Sequence, residues 1–329
     1  MISYKLQIAI LQINTAASNF TGDQQQKTFQ NLICSVDSTP GLRIQWTFTS
    51  VLNSILSVAA ILGNALILIA LHKESSLHPP SKLLLRSLAT TDLGVGLILL
   101  PLMVTRCMSI ANEHWNMFRY ASTLCFTMVT VFCGVSMLTL TAISVDRLLA
   151  LLLGLRYRQV VTLKRTYVIV IAIWVLCTVS PVMKFWNHLI TLWCSILGAS
   201  LCLVISSFSY TKIFLTLRHH QNQVQDNVQQ ANQTNQLHIA RYKKAVSTAI
   251  WLQLTLVACY LPFIIVIIVV VLTSYSGLSS SLCYALIYSG TLVFLNSSLN
   301  PILYCWKQEE VRQAVKDTIG QMLCLCFSS

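Results

Sequence analysis

Residues 245–306 read AVSTAIWLQLTLVACYLPFIIVIIVVVLTSYSGLSSSLCYALIYSGTLVFLNSSLNPILYCW, and this stretch decides the fold. It runs for 62 residues between Lys244 and Lys307 without one Asp, Glu, Lys or Arg. A helix crosses the hydrocarbon core of a bilayer in about 20 residues, so the run is too long for one crossing. The polar stretch Thr273-Ser274-Tyr275-Ser276-Gly277 divides it into two. Each half is about twice the length of a barrel strand and does not alternate, which selects helices over strands.

The rest of the chain repeats the pattern. Apolar runs extend from Trp46 to Leu71, from Leu83 to about Thr105, from about Tyr120 to Val145, from Tyr167 to Met183 and from about Ile190 to Leu215. With the two halves above they make seven spans. Composition agrees: 10% of the 329 residues are charged and 55% are apolar, with a mean hydropathy of +0.67. Soluble domains carry about 25% charge, so a soluble fold could not cover its surface with what this chain has.

Seven spans put the termini on opposite sides, and positive charge sets which is which. With the N-terminus outside, 16 of the 22 Lys and Arg face or border the cytoplasm. The net charge of +12 is therefore a topology signal, and it makes no case for nucleic acid, whose binders gather basic residues on a polar face. Residues 1–45 read as a polar exterior tail. Its sequon Asn19-Phe20-Thr21 is a glycosylation acceptor. Leu6–Ile13 follows Lys5 as a short apolar run, but two glutamines interrupt it, which weakens a reading as a cleaved leader. Residues 46–306 form the membrane domain. Residues 219–238 are Gln- and Asn-rich and read as a cytoplasmic loop. Residues 307–329 form an amphipathic helix and tail, with Val311, Ala314, Val315 and Ile319 at helical spacing on its membrane face.

Polar residues at membrane depth are costly and mark function. Asp92 lies in Leu88-Ala89-Thr90-Thr91-Asp92-Leu93 on span two, and Asn64 follows Gly63 on span one. Span three ends in Asp146-Arg147-Leu148, span six holds Cys259-Tyr260-Leu261-Pro262, and span seven carries Asn296-Ser297-Ser298-Leu299-Asn300-Pro301-Ile302-Leu303-Tyr304. These motifs, with Trp174 on span four and Tyr210 on span five, fall in order on seven spans. In that order they resemble the rhodopsin-like (class A) G-protein-coupled receptors over roughly residues 46–320. The expected fold is an all-α integral membrane bundle of seven helices with a short amphipathic eighth.

The resemblance implies roles. Asp92, Ser136, Asn296, Ser297 and Asn300 would hold a sodium ion, the one cofactor-like group expected. The alternative is a protonated Asp92 bonded to Asn64 and Asn300. Asp146 would pair with Arg147, and Arg147 would be released on activation to meet Tyr210 and a heterotrimeric G protein, with arrestin a further partner. Tyr260, Pro262, Pro301 and Tyr304 would serve the switch, Pro262 by removing a helix hydrogen bond and kinking span six. Leu148 and Tyr260 replace the Tyr and Trp usual at those positions. No acid stands among Arg241, Tyr242, Lys243 and Lys244, so an ionic lock to Arg147 is not expected. Cys324 and Cys326 are palmitoylation candidates that would anchor the eighth helix to membrane lipid.

Three departures point within the family. Ser122 occupies the usual third-span cysteine position, with Cys125 one turn deeper. The second exterior loop shrinks to Lys184–Leu189, and Cys202 stands where a proline is usual. Together they resemble the melanocortin branch of the melanocortin, lysophospholipid, cannabinoid and adenosine receptor cluster. That branch implies a bridge from the exterior tail to the top of span seven, here Cys34 to Cys283. Ligand chemistry does not carry over. Val129 replaces the amine-binding Asp, Phe294 the retinal Lys and Ile267 the adenosine-binding Asn, while Leu102, Ser122 and Phe126 replace the acids of a calcium site. What remains is an apolar pocket of Met103, Val129, Phe132, Cys133, Phe263, Ile264 and Ile267. Arg106 and Arg119 stand near its mouth, with Glu113 and Trp115 in the first loop. It suits a lipid with an acid head, with a peptide as the runner-up. A channel or transporter would show a charged pathway or repeats, and an intramembrane enzyme a catalytic pair, whereas Asp92 is the only mid-membrane acid. A seven-helix receptor-like scaffold that does not signal is the remaining alternative.

Overall fold

The computed structural model describes residues 40–73, 78–185, 188–227, 233–273, 280–307 and 309–327. Span one is α1 (Pro40–Lys73). Span two is α2 (Pro79–Gly94), a π-helical turn (Val95–Leu99) and α3 (Leu100–Ala111). Span three is α4 (Trp115–Leu153). A 3-10 turn (Gly154–Arg156) and α5 (Tyr157–Val160) lead to span four, α6 (Leu163–Val179), which ends in a 3-10 turn (Ser180–Phe185). Spans five, six and seven are α7 (His188–Asn227), α8 (Gln233–Thr273) and α9 (Ser280–Lys307), followed by α10 (Glu309–Phe327). Seven of these segments are long and apolar enough to cross a membrane.

Hydropathy places the crossings correctly but underestimates the helices. A helix continues past the bilayer wherever its backbone stays bonded, whatever its side chains prefer. Helix α1 begins at Pro40, inside the expected tail, and α7 and α8 run on through most of residues 219–238. The expected loop there is therefore largely helix. Span three stops at Gly154, whose φ of 48° is a left-handed value that glycine adopts without a Cβ clash.

Three of the prolines inside spans, Pro101, Pro301 and Pro262, each withhold an N–H from a helix carbonyl. A π turn would pair the Gly96 carbonyl with an N–H at position 101, which Pro101 lacks. The Ser57 hydroxyl of span one donates to that carbonyl instead, at 2.7 Å. In span seven Pro301 cannot donate to the Ser297 carbonyl, and the Asn64 amide does so at 3.0 Å. Gly63 makes that approach possible, because a Cβ there would sit 2.9 Å from the Pro301 ring. Pro262 lies inside the continuous α8, directly before Phe263 and Ile264, and has no N–H to offer the Ala258 carbonyl.

Lipid-facing and inward-facing residues separate as a bilayer demands. Span four exposes Val168, Ile171, Val175 and Leu176. Asn64, Asp92, Ser136, Ser144, Asn296 and Asn300 are buried in the bundle. Trp174 of span four donates to the Ser87 hydroxyl of span two at 3.3 Å. Helix α10 packs on the bundle through buried Val311, Ala314 and Val315. Ile319, expected on that face, is 41% exposed, and Thr318 turns inward instead, its hydroxyl satisfied by the Ala314 carbonyl at 2.7 Å.

Candidate functional site

Three groups of side chains lie along the bundle axis. The middle one centres on Asp92, which is fully buried. Its Oδ1 accepts from Ser297 at 2.7 Å and from Ser136 at 3.2 Å, and its Oδ2 accepts from Asn300 at 2.7 Å. Spans two, three and seven are joined through this one carboxylate. Asn296, the fifth residue of the expected set, is buried, and its amide nitrogen has no partner. Asn64 is not among the partners of Asp92; its amide serves the Ala60 and Ser297 carbonyls. The site therefore offers a carboxylate, two hydroxyls and two amide oxygens. Oxygen donors suit a hard cation. Among the described residues no cluster of three or more His, Cys, Asp or Glu exists for a transition metal.

The second group lies at the Arg147 end. Asp146 is 5% exposed, and it does not pair with Arg147 as expected. Its Oδ2 accepts from Ser81 at 2.8 Å and its Oδ1 from Tyr157 at 2.7 Å. Each oxygen thus accepts from a neutral hydroxyl rather than from the guanidinium. The Tyr157 ring lies 5.1 Å from that of His78. Burial, and then the neighbouring Asp146, push the Tyr157 phenol up to about 12. Ser81, Tyr157 and His78 were not legible as site residues. Ser81 lies in the first turn of α2 and His78 just before it, while Tyr157 lies in a connecting segment and follows Asp146 by 11 residues without any spacing signal. Tyr210 is buried and packs with Ile213 against Leu148 and Leu151, so Leu148, in the place of the usual Tyr, makes an apolar contact. The Tyr304 hydroxyl is buried with no partner.

The third group lies at the opposite end. Ile264 is buried in the main apolar cluster, and Met103, Val129, Phe132, Cys133, Phe263 and Ile267 pack against it half-buried. Tyr260 belongs to the same cluster. Gly94 brings span two against Phe132, because a Cβ there would lie 2.5 Å from the ring. Arg106 is half-buried on α3, one turn along from Met103. Its Nε donates to Ser122 at 3.3 Å, and its guanidinium lies 5.8 Å from the centre of the Phe118 ring. Ser122 thus holds a cation where a disulfide cysteine is usual. Arg119 is exposed, and Glu113 in the first loop is exposed with a φ of 60°.

Cys125 and Cys202 are free thiols. Asn19 and Cys34 lie outside the described residues. Cys283 lies on α9, and Cys324 and Cys326 lie on α10, at positions whose side chains are not described.

The model of the 7 transmembrane receptor (rhodopsin family) matches residues 63–188 and 176–304. Melanocortin receptor 3 of Homo sapiens is 24% identical over 285 residues, which cover 82% of this chain and 84% of the relative. Melanocortin receptor 4 of Danio rerio is 26% identical over 291 residues, 83% of this chain and 82% of the relative. Melanocortin receptor 5 of Bos taurus is 23% identical over 340 residues, 99% of this chain and 96% of the relative. The match runs through Gly63-Asn64, Asp92, Asp146-Arg147, Pro262 and the whole Asn300–Tyr304 motif. The chain belongs to the rhodopsin family of seven-transmembrane receptors: it is a multi-pass plasma-membrane signalling receptor for an extracellular ligand, coupled to a heterotrimeric G protein, and not an enzyme.

Proposed function

We propose that this receptor binds a lipid with an acidic head between spans two, three and six, and activates its G protein by outward movement of span six about Pro262. The N-terminus faces the exterior, as the distribution of Lys and Arg requires. The observation that carries the signalling reading is the state of Asp146. Both of its oxygens accept from hydroxyls, and Arg147 forms no ion pair among the described residues. Arg147 then needs little to be released before it meets an incoming carboxylate or carbonyl. Pro262 leaves the Ala258 carbonyl without its helical donor, which makes that turn the soft point of span six.

The ligand reading rests on Arg106. Its Nε is committed to Ser122, which orients the fork and leaves the Nη edge for a carboxylate or phosphate. The half-buried Met103, Val129, Phe132, Cys133, Phe263 and Ile267 supply the apolar wall for the chain.

Asp92, Ser136, Asn296, Ser297 and Asn300 have the oxygen chemistry to hold sodium. Such an ion would neutralise the Asp92 charge within the bilayer. The side chains themselves join spans two, three and seven, so any shift among those spans must break or re-form a bond to Asp92.

A G-protein activation assay across all alpha classes tests the function, in cells expressing the chain and challenged with acid-headed lipids, neutral lipids and peptides. Acid-headed lipids should give a saturable signal that Arg147→Ala removes at unchanged surface level. A response confined to peptides or neutral ligands would overturn the ligand reading. A signal that survives Arg147→Ala would overturn the mechanism.

A further inference from the structure

Between Lys244 and Lys307 the chain carries three amide side chains, Gln253, Asn296 and Asn300. The last two belong to the Asp92 group, and Gln253 of span six belongs to none of the three groups described above. An amide inside an apolar run is costly unless its donors and its acceptor are met. Here it is half met. Gln253 Nε2 donates to the Ser207 hydroxyl of span five at 2.6 Å. Its Oε1 is buried and has no donor among the described residues. Span five is held on its other side at the same level. Ser206 is buried and donates to the Thr141 hydroxyl of span three at 3.3 Å. Successive residues of a helix point about 100° apart, so two neighbouring serines reach two different spans. One turn further along α7, Tyr210 and Ile213 pack against Leu148 and Leu151 of span three. Span five is thus fastened to span three, and Gln253 fastens span six to span five.

The position of this bond matters because span six carries its proline above it. Gln253 stands nine residues before Pro262, about 14 Å along the helix at 1.5 Å per residue. A rotation of about 10° about Pro262 would move Gln253 by about 2.4 Å relative to span five, too far for its bond to Ser207 to survive. Two terms oppose each other at this one side chain. The Nε2 bond favours the closed arrangement. The dry Oε1 disfavours it, because a buried acceptor without a donor carries its full desolvation cost. A cleft opening at the Arg147 end admits water, which satisfies both ends of the amide.

We infer that Gln253 and Ser207 form a polar latch that holds span six against span five in the resting receptor, with the dry Gln253 oxygen favouring its release. The latch rests on the reading above in which span six swings about Pro262. The test measures ligand-independent G-protein activation in cells expressing the full chain, with every variant compared at matched surface level. Ser207→Ala removes the bond and leaves the whole amide dry, so activation should rise about two- to tenfold. Ser207→Thr keeps the hydroxyl and should stay at the wild-type level. Gln253→Leu removes the bond and the dry oxygen together, so opening no longer gains hydration. Its activation should lie at the wild-type level or below, and adding Ser207→Ala to it should change nothing. A contact that serves packing alone would behave differently, with both single variants raising activation and their effects adding. Where a variant does not reach the surface, Gln253→Met replaces Gln253→Leu, and Ser207→Cys, a weaker acceptor, replaces Ser207→Ala with a smaller rise. Equal activation in all surface-expressed variants, additive rises, or activation in Gln253→Leu as high as in Ser207→Ala overturns the proposal. Pro262→Ala restores a donor to the Ala258 carbonyl and reads the hinge separately. If it leaves activation unchanged while the order above holds, the hinge reading fails and the latch stands. If it lowers activation while that order fails, the latch falls and the hinge stands.

Discussion

The Tyr157 hydroxyl donates to Asp146 at 2.7 Å, so the carboxylate beside Arg147 is bonded to a phenol and not to the guanidinium. Phenol and carboxylate come from a connecting segment and from the end of span three, so the bond also pins that segment to the bundle. A hydrogen bond to a charged group is worth about 1.5–3 kcal/mol. Tyr157→Phe should therefore lower the melting temperature of the purified receptor by a few degrees and leave its apolar packing on His78 in place. The pH dependence has a definite sign. The folded protein holds the Tyr157 proton more tightly than the unfolded chain, with the phenol raised from 10.0 to about 12. The contribution is full below pH 10 and is lost as the pH rises toward 12. The melting-temperature gap between wild type and Tyr157→Phe should close across that window. A gap that stays constant would show that the phenol is not the titrating group.

Asp92 offers a second measurement. Anything that binds only the folded state raises its apparent stability with concentration. The receptor should melt higher in sodium chloride than in potassium chloride at the same ionic strength. Asp92→Asn keeps the shape and removes the charge, so the difference should vanish. An identical sodium effect in the variant would place the ion elsewhere.

Much of this was legible in the sequence because a bilayer imposes simple rules. Long apolar runs with few charges gave the seven crossings, and the rarity of polar residues at depth pointed to Asp92, Asn296 and Asn300. What stayed hidden depends on geometry that hydropathy does not report. The π turn at Val95–Leu99 is a backbone event among residues that are apolar in any helix. Helices α7 and α8 extend into the Gln-rich stretch because water-exposed backbone can stay helical without an apolar face. The Asp146–Ser81 bond joins residues 65 positions apart, and the adjacent Asp146-Arg147 pair suggested a simpler partner than the one found.

Arg106 tests the ligand. Its Nε bond to Ser122 fixes the fork, and a carboxylate or phosphate on the Nη edge would gain a charge-assisted hydrogen bond. Loss of such a bond costs about 1.5–3 kcal/mol, which is roughly a ten- to hundredfold loss of affinity. Arg106→Gln should raise the half-maximal concentration of acid-headed lipids by that factor and leave neutral analogues unaffected. Equal losses for both would mean that Arg106 shapes the bundle rather than reads the headgroup.

Span six has no acid among residues 241–244 to hold it against Arg147, yet its lower half is not without restraint. The indole rings of Trp251 on span six and Trp306 on span seven lie 5.6 Å apart at an interplanar angle of 52°. Both are substantially exposed, at 44% and 56%, so they meet on the lipid-facing side of the bundle. Outward movement of span six about Pro262 must part them. Aromatic pairs contribute about 0.5–1.5 kcal/mol beyond their area, which corresponds to a roughly two- to tenfold change in a two-state population. Trp251→Ala should raise ligand-independent G-protein activation by that factor at matched surface level, and Trp251→Phe should raise it less. Adding Arg147→Ala should abolish the gain, because the freed helix would have nothing to present to the transducer. Unchanged basal activity in folded Trp251→Ala would mean that the indole contact does not restrain span six.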